Sequence, residues 1–338
     1  MITEAASTDG AATVSVIVVN FNAQRTLSRC LAALRAQSLR AAKVIVVDNA
    51  STDGSIENAK ELFPEFEYVL LPVNAGFAAA NNQAIALCDS EFVALLNPDA
   101  FAEPAWLEEL VKAARRIPAA ASFGSCQLMA GEADVIDGIE DVCHISGLVW
   151  RRGHGRSRNS DDCTAREIFS PCAAAALYRR QAVQSVGAFD EDFFCYVEDV
   201  DLGFRLRLAG WQSWYVPAAV VRHVGSATTG GAHSSFAVYH GHRNLVWMFV
   251  KNMPGYLFWL FLPLHIAMNL VSVVWFIFRG QAAAILSAKR DAILGLRRAW
   301  QKRAIVQSRR TLPVAAFWTM LNGNLIPGRR QSRTNSFT

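Results

Sequence analysis

VSVIVVNFN (14–22), VIVVDNASTDGS (44–55), NAGFAAANN (74–82) and LLNPDA (95–100) set the frame of this chain. Val14–Val19 is an apolar, β-branched run without polar alternation, the pattern of a strand buried on both faces. Across Gln24–Gln37, Leu27, Cys30, Leu31 and Leu34 fall at i, i+3, i+4 and i+7, which predicts a helix with one apolar stripe. Val44–Val47, Tyr68–Val73 and Phe92–Leu96 read as three further strands, with helices predicted over Gly54–Phe63 and Phe77–Cys88. Strand and helix alternating through short links predict a parallel, doubly wound α/β sheet.

In such a sheet ligands bind beyond the carboxyl ends of the strands. Here each of the first four strands runs into polar residues: Asn20 and Asn22, Asp48 and Asn49, Asn74, then Asn97-Pro98-Asp99. A single acid at a strand end is commonly a helix cap, and Ser51 and Asp53 fit that role. Four polar ends in succession point to one ligand-binding edge. No GxxxxGK[ST] and no GxGxxG after the first strand occurs, which disfavours P-loop and dinucleotide-dependent dehydrogenase chemistry. Asp48 can accept hydrogen bonds from a base or ribose. Gly76 opens a helix where backbone can approach a ligand closely, although a plain turn glycine reads the same way. Asp99 is the candidate ligand for Mg²⁺ or Mn²⁺, and His223, after Val220-Val221-Arg222, is a candidate nitrogen ligand.

The densest acidic run is Glu198-Asp199-Val200-Asp201, preceded by Phe193, Phe194 and Tyr196. Aromatic neighbours can desolvate a carboxylate and raise its pKa, as a general base requires. Acids opening a helix over residues 199–209, with Asp201 and Arg205 as an i,i+4 pair, account for the same residues without chemistry. The stretch from about 118 to 170 is irregular, and Trp214–Val216 is a short strand stopped by Pro217. Its loop RRGHGRSRN (151–159) is either a solvated turn cluster or a basic lip for an anionic acceptor. Arg243 is either a contact for a phosphate group or a juxtamembrane anchor.

VSVIVVNFN, VIVVDNASTDGS, NAGFAAANN, LLNPDA, GAFDEDFFCYVEDVDLGFRLRLAGW (187–211) and VVRHVGS (220–226), in that order, resemble the inverting family-2 glycosyltransferases of the GT-A fold. Within that family the bacterial rhamnosyltransferase-like branch is the most similar, and the likeness extends over about residues 13–250. The resemblance implies a GT-A fold and transfer of a sugar, rhamnose in that branch, from a nucleoside diphosphate donor such as dTDP-rhamnose. The acceptor is a hydroxyl of a glycan or lipid-linked acceptor in cell-surface polysaccharide synthesis. It implies that Asn20 and Asp48 hold base and ribose, and that Asn74, Gly76 and Asn81 line the same pocket. Asp99 matches the last acid of the metal-binding DxD element. Asp199, with Glu198 before it, matches the acid that acts as general base, and His223 a histidine that completes the metal site. Asn97 departs from the pattern, standing where many members carry the first Asp, which implies weaker metal affinity. A hexosyl or galactofuranosyl transferase, or a non-catalytic membrane-bound subunit that binds sugar nucleotides, remain as alternatives.

Apolar residues make up 52% of the 338 residues and charged residues 18%, and the mean hydropathy is +0.18, a folded and rather apolar chain. Residues 279–338 hold 12 Lys and Arg against one acid, Asp291, while residues 1–278 hold 21 against 28. An acidic body with a basic tail argues against a nucleic-acid binder and for an anionic membrane surface. Seven cysteines without a CxxC pair exclude a disulfide framework or zinc finger and fit the cytosol. The N-terminus has no signal-peptide pattern.

Residues 1–13 read as a disordered lead-in, 14–250 as the catalytic domain, and 251–338 as a membrane-associated segment and basic tail. Residues 256–278 carry no Asp, Glu, Lys or Arg and are long enough, at about 34 Å as a helix, to cross a bilayer core. A donor-using domain and a basic tail both belong on the cytoplasmic side. The segment is therefore expected as a hairpin broken near Pro263 or as an interfacial helix, giving a monotopic bacterial protein on the cytoplasmic face. A chain cut near residue 250 is expected to stay active toward acceptors without lipid.

Overall fold

The computed structural model describes residues 13–225 and 234–324. Most of the expected lead-in, Ser226 of the last motif and the end of the basic tail lie outside the described residues. The first half alternates as anticipated: β1 (Val14–Asn20), α1 (Arg25–Arg35), β2 (Lys43–Asp48), α2 (Ser55–Leu62), β3 (Glu67–Leu70), α3 (Gly76–Ala86) and β4 (Phe92–Leu96). These strands pair in parallel, with β1 between β2 and β4 and β3 outside β2. Successive side chains of β1 enter opposite cores. Val14, Val16 and Val18 pack with α1, α2 and the later α4, while Ile17 and Val19 pack with α3 and the later α6. Burial of both faces is why β1, β2 and β4 read as unbroken apolar runs, whereas β3 is a half-exposed edge strand.

The second half supplies β5 (Ala100–Ala102), α4 (Trp106–Arg116), β6 (Ala120–Met129), β7 (Ile136–Gly138), β8 (Asp141–Cys143), β9 (Val149–Arg151), β10 (Arg166–Glu167), β11 (Ala175–Arg179), α5 (Arg180–Ser185), α6 (Glu198–Leu208) and β12 (Gln212–His223). The main sheet runs β10-β12-β6-β11-β4-β1-β2-β3, with β5 on β12 and β7 on β6. Antiparallel β11 joins β4 to β6, so the sheet is mixed beyond its parallel first half.

Two strands differ from the sequence expectation. The region taken as irregular contains β6, whose ten residues are nearly all buried. Its polar side chains hide the apolar period because each is paired inside: Ser122 with Ser213 at 2.7 Å, Ser125 with Trp106 Nε1 at 2.7 Å, and Gln127 with the Cys172 carbonyl at 3.2 Å. β12 does not stop at Pro217. Val216 pairs with Ser125 and Val220 with Cys126, so residues 217–219 form a bulge in which the missing N–H of proline costs no ladder bond. Beyond the bulge the strand resumes and delivers His223.

Among the described residues five helices follow: α7 (Ser235–Asn252), α8 (Gly255–Phe278), α9 (Ala282–Leu294), α10 (Leu296–Ser308) and α11 (Val314–Trp318). α8 passes through Pro263 unbroken, so the expected hairpin break is not there. Its first half is held by buried Leu257, Phe258, Phe261 and His265, and the His265 ring stacks on Phe249 at 4.0 Å. The chain reverses at Arg279–Gln281 instead, and α9 returns along α8 with Lys289 donating to Asn269 Oδ1 at 2.5 Å. A third core joins Phe169, Phe193, Val200 and Phe204 to Phe249, Phe258 and Phe317. This shared core runs across residue 250, so a cut there strips its C-terminal half and leaves large apolar side chains in water.

Candidate functional site

Parallel register sets Asn20 opposite Asp48. Both are buried, and the Asn20 amide donates to Asp48 Oδ1 at 2.8 Å, Ser55 Oγ at 2.9 Å and Ser51 Oγ at 3.0 Å. The Oδ1 of Asn20 has no partner. Asn22, in the left-handed region at φ 51°, accepts from the Thr52 backbone. Asn49 donates to Asn74 Oδ1 at 2.8 Å and accepts from Ala75 N, and Asn74 Oδ1 also accepts from Gly76 N. The strand ends are thus cross-linked into one rigid rim. Gly76 has φ 85°, and a Cβ there would lie 2.5 Å from the Phe194 ring, so the position needs glycine. Asn81 is buried and donates to the Phe77 carbonyl within α3.

A second group forms where β5 pairs with the end of β12. Register sets His223 opposite Ala100, the residue after Asp99. His223 Nε2 lies 3.2 Å from Asp99 Oδ1, and its Nδ1 donates to Asp137 Oδ2 at 2.8 Å. Burial pulls the His223 pKa down, but Asp137 and Asp99 outweigh it and lift the value to about 9. Asp137, on β7, has no role in the sequence reading. A carboxylate that fixes one imidazole nitrogen while the other is buried without a hydrogen bond is the usual setting of a metal-binding histidine. Asp99 and His223 therefore fit a divalent cation, with Asp137 orienting the ring. Asn97 donates its backbone N–H to the Ala174 carbonyl.

The acidic run opens α6. Asp199 Oδ2 accepts from Ala173 N at 3.1 Å. Glu198 is buried with an unpartnered Oε2, and burial together with Asp199 raises its pKa well above the usual range. Asp201 is fully buried, ion-paired to Arg205 at 2.9 Å and Lys251 at 2.7 Å and bonded to Asn252, which makes it structural. Asp141, also missing from the sequence reading, lies with Cys172 beside Asp199, their ligand atoms within 4.8 Å of one another. Burial, then the charge of Asp199, pushes the Asp141 pKa well up.

The basic loop resolves residue by residue. Arg152 pairs with Glu140, and Arg156 pairs bidentately with Asp162 at 2.6 Å. These are structural cations rather than an open lip. His154 reaches Asp137 and Arg158 the Pro217 carbonyl, and Arg151 also turns inward. It contacts Asp137 at 3.0 Å, and its charge also acts on Asp141 and Asp199, linking the histidine group to the acidic run.

Arg243 anchors backbone, donating to the Asp192 and Phe193 carbonyls at 3.1 and 3.0 Å. The adjacent Asn244 amide donates to the Phe193, Cys195 and Tyr196 carbonyls at 2.7–2.9 Å. The loop so gripped holds Phe194, Tyr196 and Val197 at φ 64°, 66° and 71° directly before α6. Lys251 and Lys302 both pair with Asp190 at the loop's start. Burial alone would raise the Asp190 pKa, but these two cations hold it well below the usual carboxylate range.

The family model for glycosyl transferase family 2 matches residues 15–187. The chain belongs to glycosyl transferase family 2. This glycosyltransferase is 29% identical over 254 residues to the N-acetylglucosaminyl-diphospho-decaprenol L-rhamnosyltransferase of Mycobacterium tuberculosis, a span covering 69% of this chain and 83% of that one. It is 21% identical over 270 residues to poly-beta-1,6-N-acetyl-D-glucosamine synthase of Staphylococcus aureus, covering 78% of this chain and 62% of the synthase. Its fold is similar to that of the mannosyltransferase PcManGT from Pyrobaculum calidifontis, solved with GDP-Man and Mn²⁺ (TM-score 0.52, 18% identity, 88% and 85% coverage). GalNAc-T7, solved with UDP, GalNAc and Mn²⁺, is similar over 72% of this chain and 48% of that one (TM-score 0.58, 13% identity).

Lys251→Met is expected to destabilise the fold by about 3–5 kcal/mol, because Asp190 and Asp201 lose a buried counter-charge. Asp190 is depressed in the folded state, so its share of the stability is present above the unfolded pKa of about 4 and fades as pH falls. Denaturant melts should show the deficit in full at pH 7 and a smaller one at pH 3. A deficit that does not depend on pH would contradict the pairing.

Proposed function

We propose that this glycosyltransferase moves a sugar, rhamnose, from a nucleoside diphosphate donor to a hydroxyl of a lipid-linked glycan, with inversion at the anomeric carbon. The observation that carries the reading is that one stretch of backbone ties two groups together. Ala173 N donates to Asp199 at the start of α6 and the next carbonyl, of Ala174, accepts from Asn97, two residues before the Asp99–His223–Asp137 group, beside a rim of cross-linked strand ends. The rim at Asn20 and Asp48 binds base and ribose, and Asn49, Asn74 and Gly76 border the same pocket. The likeness to a rhamnosyltransferase supports dTDP-rhamnose as donor and a prenyl-diphosphate-linked sugar as acceptor, hence a place in bacterial cell-surface polysaccharide synthesis.

Asp199 takes the proton of the acceptor hydroxyl. That oxygen bonds to the anomeric carbon as the bond to the diphosphate oxygen breaks, its electron pair leaving with the diphosphate. Asp99 and His223 hold Mg²⁺ or Mn²⁺, which when bound neutralises charge on the diphosphate. Buried Glu198, held neutral, adds no second negative charge beside Asp199.

The membrane reading is supported by α8. Twenty-four residues with a mean hydropathy of 2.0 over their most apolar window expose Trp259, Leu270, Trp275 and Phe278. The first half of α8 leans on the catalytic domain, so the helix rests on the cytoplasmic face as a monotopic element rather than crossing it. Of the basic residues of α9 and α10, Lys289, Lys302 and Arg303 are bonded inward, and the exposed Arg290, Arg297 and Arg298 are the ones left to meet anionic headgroups.

Asp199→Asn should lower kcat by about 10²–10⁴-fold and leave donor affinity intact, measured by thermal shift with dTDP-rhamnose. Asp99→Ala and chelation should both weaken donor binding. Turnover within a few-fold of the unaltered protein would place the base elsewhere.

A cysteine label placed after Arg310 should react only from the cytoplasmic side of inverted vesicles. Reaction from the opposite side alone would establish a true span.

A further inference from the structure

Four aromatic side chains from two separate elements converge where the loop before α6 meets the start of α7. The Phe194 and His240 rings stack with centroids 5.2 Å apart and planes 20° apart. Phe236 lies 4.5 Å from His240 and 6.3 Å from Tyr196. Packing does not use the cluster up: Phe236 is 41% exposed, and Phe194, Tyr196 and His240 are half-buried. His240 Nδ1 has no hydrogen-bond partner.

The position of the cluster is fixed from both ends. The Phe194 carbonyl accepts from Ala78 N at 3.1 Å in the first turn of α3, and its ring lies against Gly76 on the donor rim. Tyr196 stands three residues before Asp199. Phe194 and Tyr196 thus lie on the stretch that joins the rim contact to the acidic run, on backbone in the left-handed region that costs about 1–3 kcal/mol per residue and is kept only where surrounding contacts force it. Asn244 and Arg243 supply those contacts. A simple link between β11 and α6 needs no such conformation.

We propose that Phe194, Tyr196, Phe236 and His240 form the subsite that seats the acceptor's sugar ring, facing Asp199. The proposal rests on the glycosyl-transfer reading above. A pyranose presents an apolar C–H face and a rim of hydroxyls. Exposed aromatic faces match the first, apolar surface that sets the orientation of the sugar ring. Burial and the charge of Arg243 push the His240 pKa down to about 4, so the imidazole is neutral at pH 7 and stacks as an uncharged ring. The donor's base and ribose are assigned to the Asn20–Asp48 end, which leaves this wall to the molecule whose hydroxyl must reach Asp199.

The test is steady-state kinetics of the full chain with dTDP-rhamnose and N-acetylglucosaminyl-diphospho-decaprenol. Phe236 is an exposed side chain, so its truncation should not unfold the protein, and a thermal melt checks this. Phe236→Ala should raise the acceptor KM about tenfold, the loss of one stacked ring, with the donor KM within twofold. Phe236→Trp should restore the acceptor KM. An unchanged acceptor KM, or a rise in the donor KM instead, would overturn the subsite and in the second case assign the wall to the nucleobase. Absence of any turnover by the unaltered protein would overturn the transfer reading and the subsite with it.

Discussion

The side-chain amide of Asn244 holds one tight loop by the Phe193, Cys195 and Tyr196 carbonyls, and the acidic end of α6 stands where that grip leaves it. Asn244 is itself fully buried and fixed by Arg243. The loop it holds is otherwise unfavourable, with three non-glycine residues at positive φ. Lys251 and Lys302 tie the start of the same loop through Asp190. Since Asn244 and Lys251 lie on α7 and Lys302 on α10, the C-terminal helices hold the backbone that carries the acidic run.

Charge is distributed with similar economy. Asp99, Asp137, Asp141, Glu198 and Asp199 would repel one another if all were ionised and unshielded. His223 sits between Asp99 and Asp137, Arg151 reaches Asp137 and acts on Asp141 and Asp199, and burial holds Asp141 and Glu198 toward their neutral forms.

β1, β2 and β4 were legible because burial on both faces writes an unbroken apolar run, and polar strand ends marked the rim at Asn20, Asp48 and Asn74 and, beyond β4, Asp99. β6 was not, because Ser122, Ser125 and Gln127 are buried by pairing with residues far away in sequence. β12 was cut short at Pro217 because only the three-dimensional register shows a bulge. The functional weight of Asp99, Asp199 and His223 came through family resemblance. Asp137 and Asp141 sit in VIDGIEDV (135–142), where nothing local says which acids turn inward. Arg243 read as an anion contact or membrane anchor because a guanidinium bound to carbonyls of a distant loop has no signature in its own neighbourhood.

The account stands on a single displacement in which a base at Asp199 and the diphosphate lie on opposite faces of the transferred sugar. The most direct test is the anomeric configuration of the fresh product, read by NMR from the one-bond C–H coupling at the new linkage and compared with the donor. Inversion, with the signal lost in Asp199→Asn, is the predicted result. Retention of the donor configuration would contradict the single displacement and the role given to Asp199.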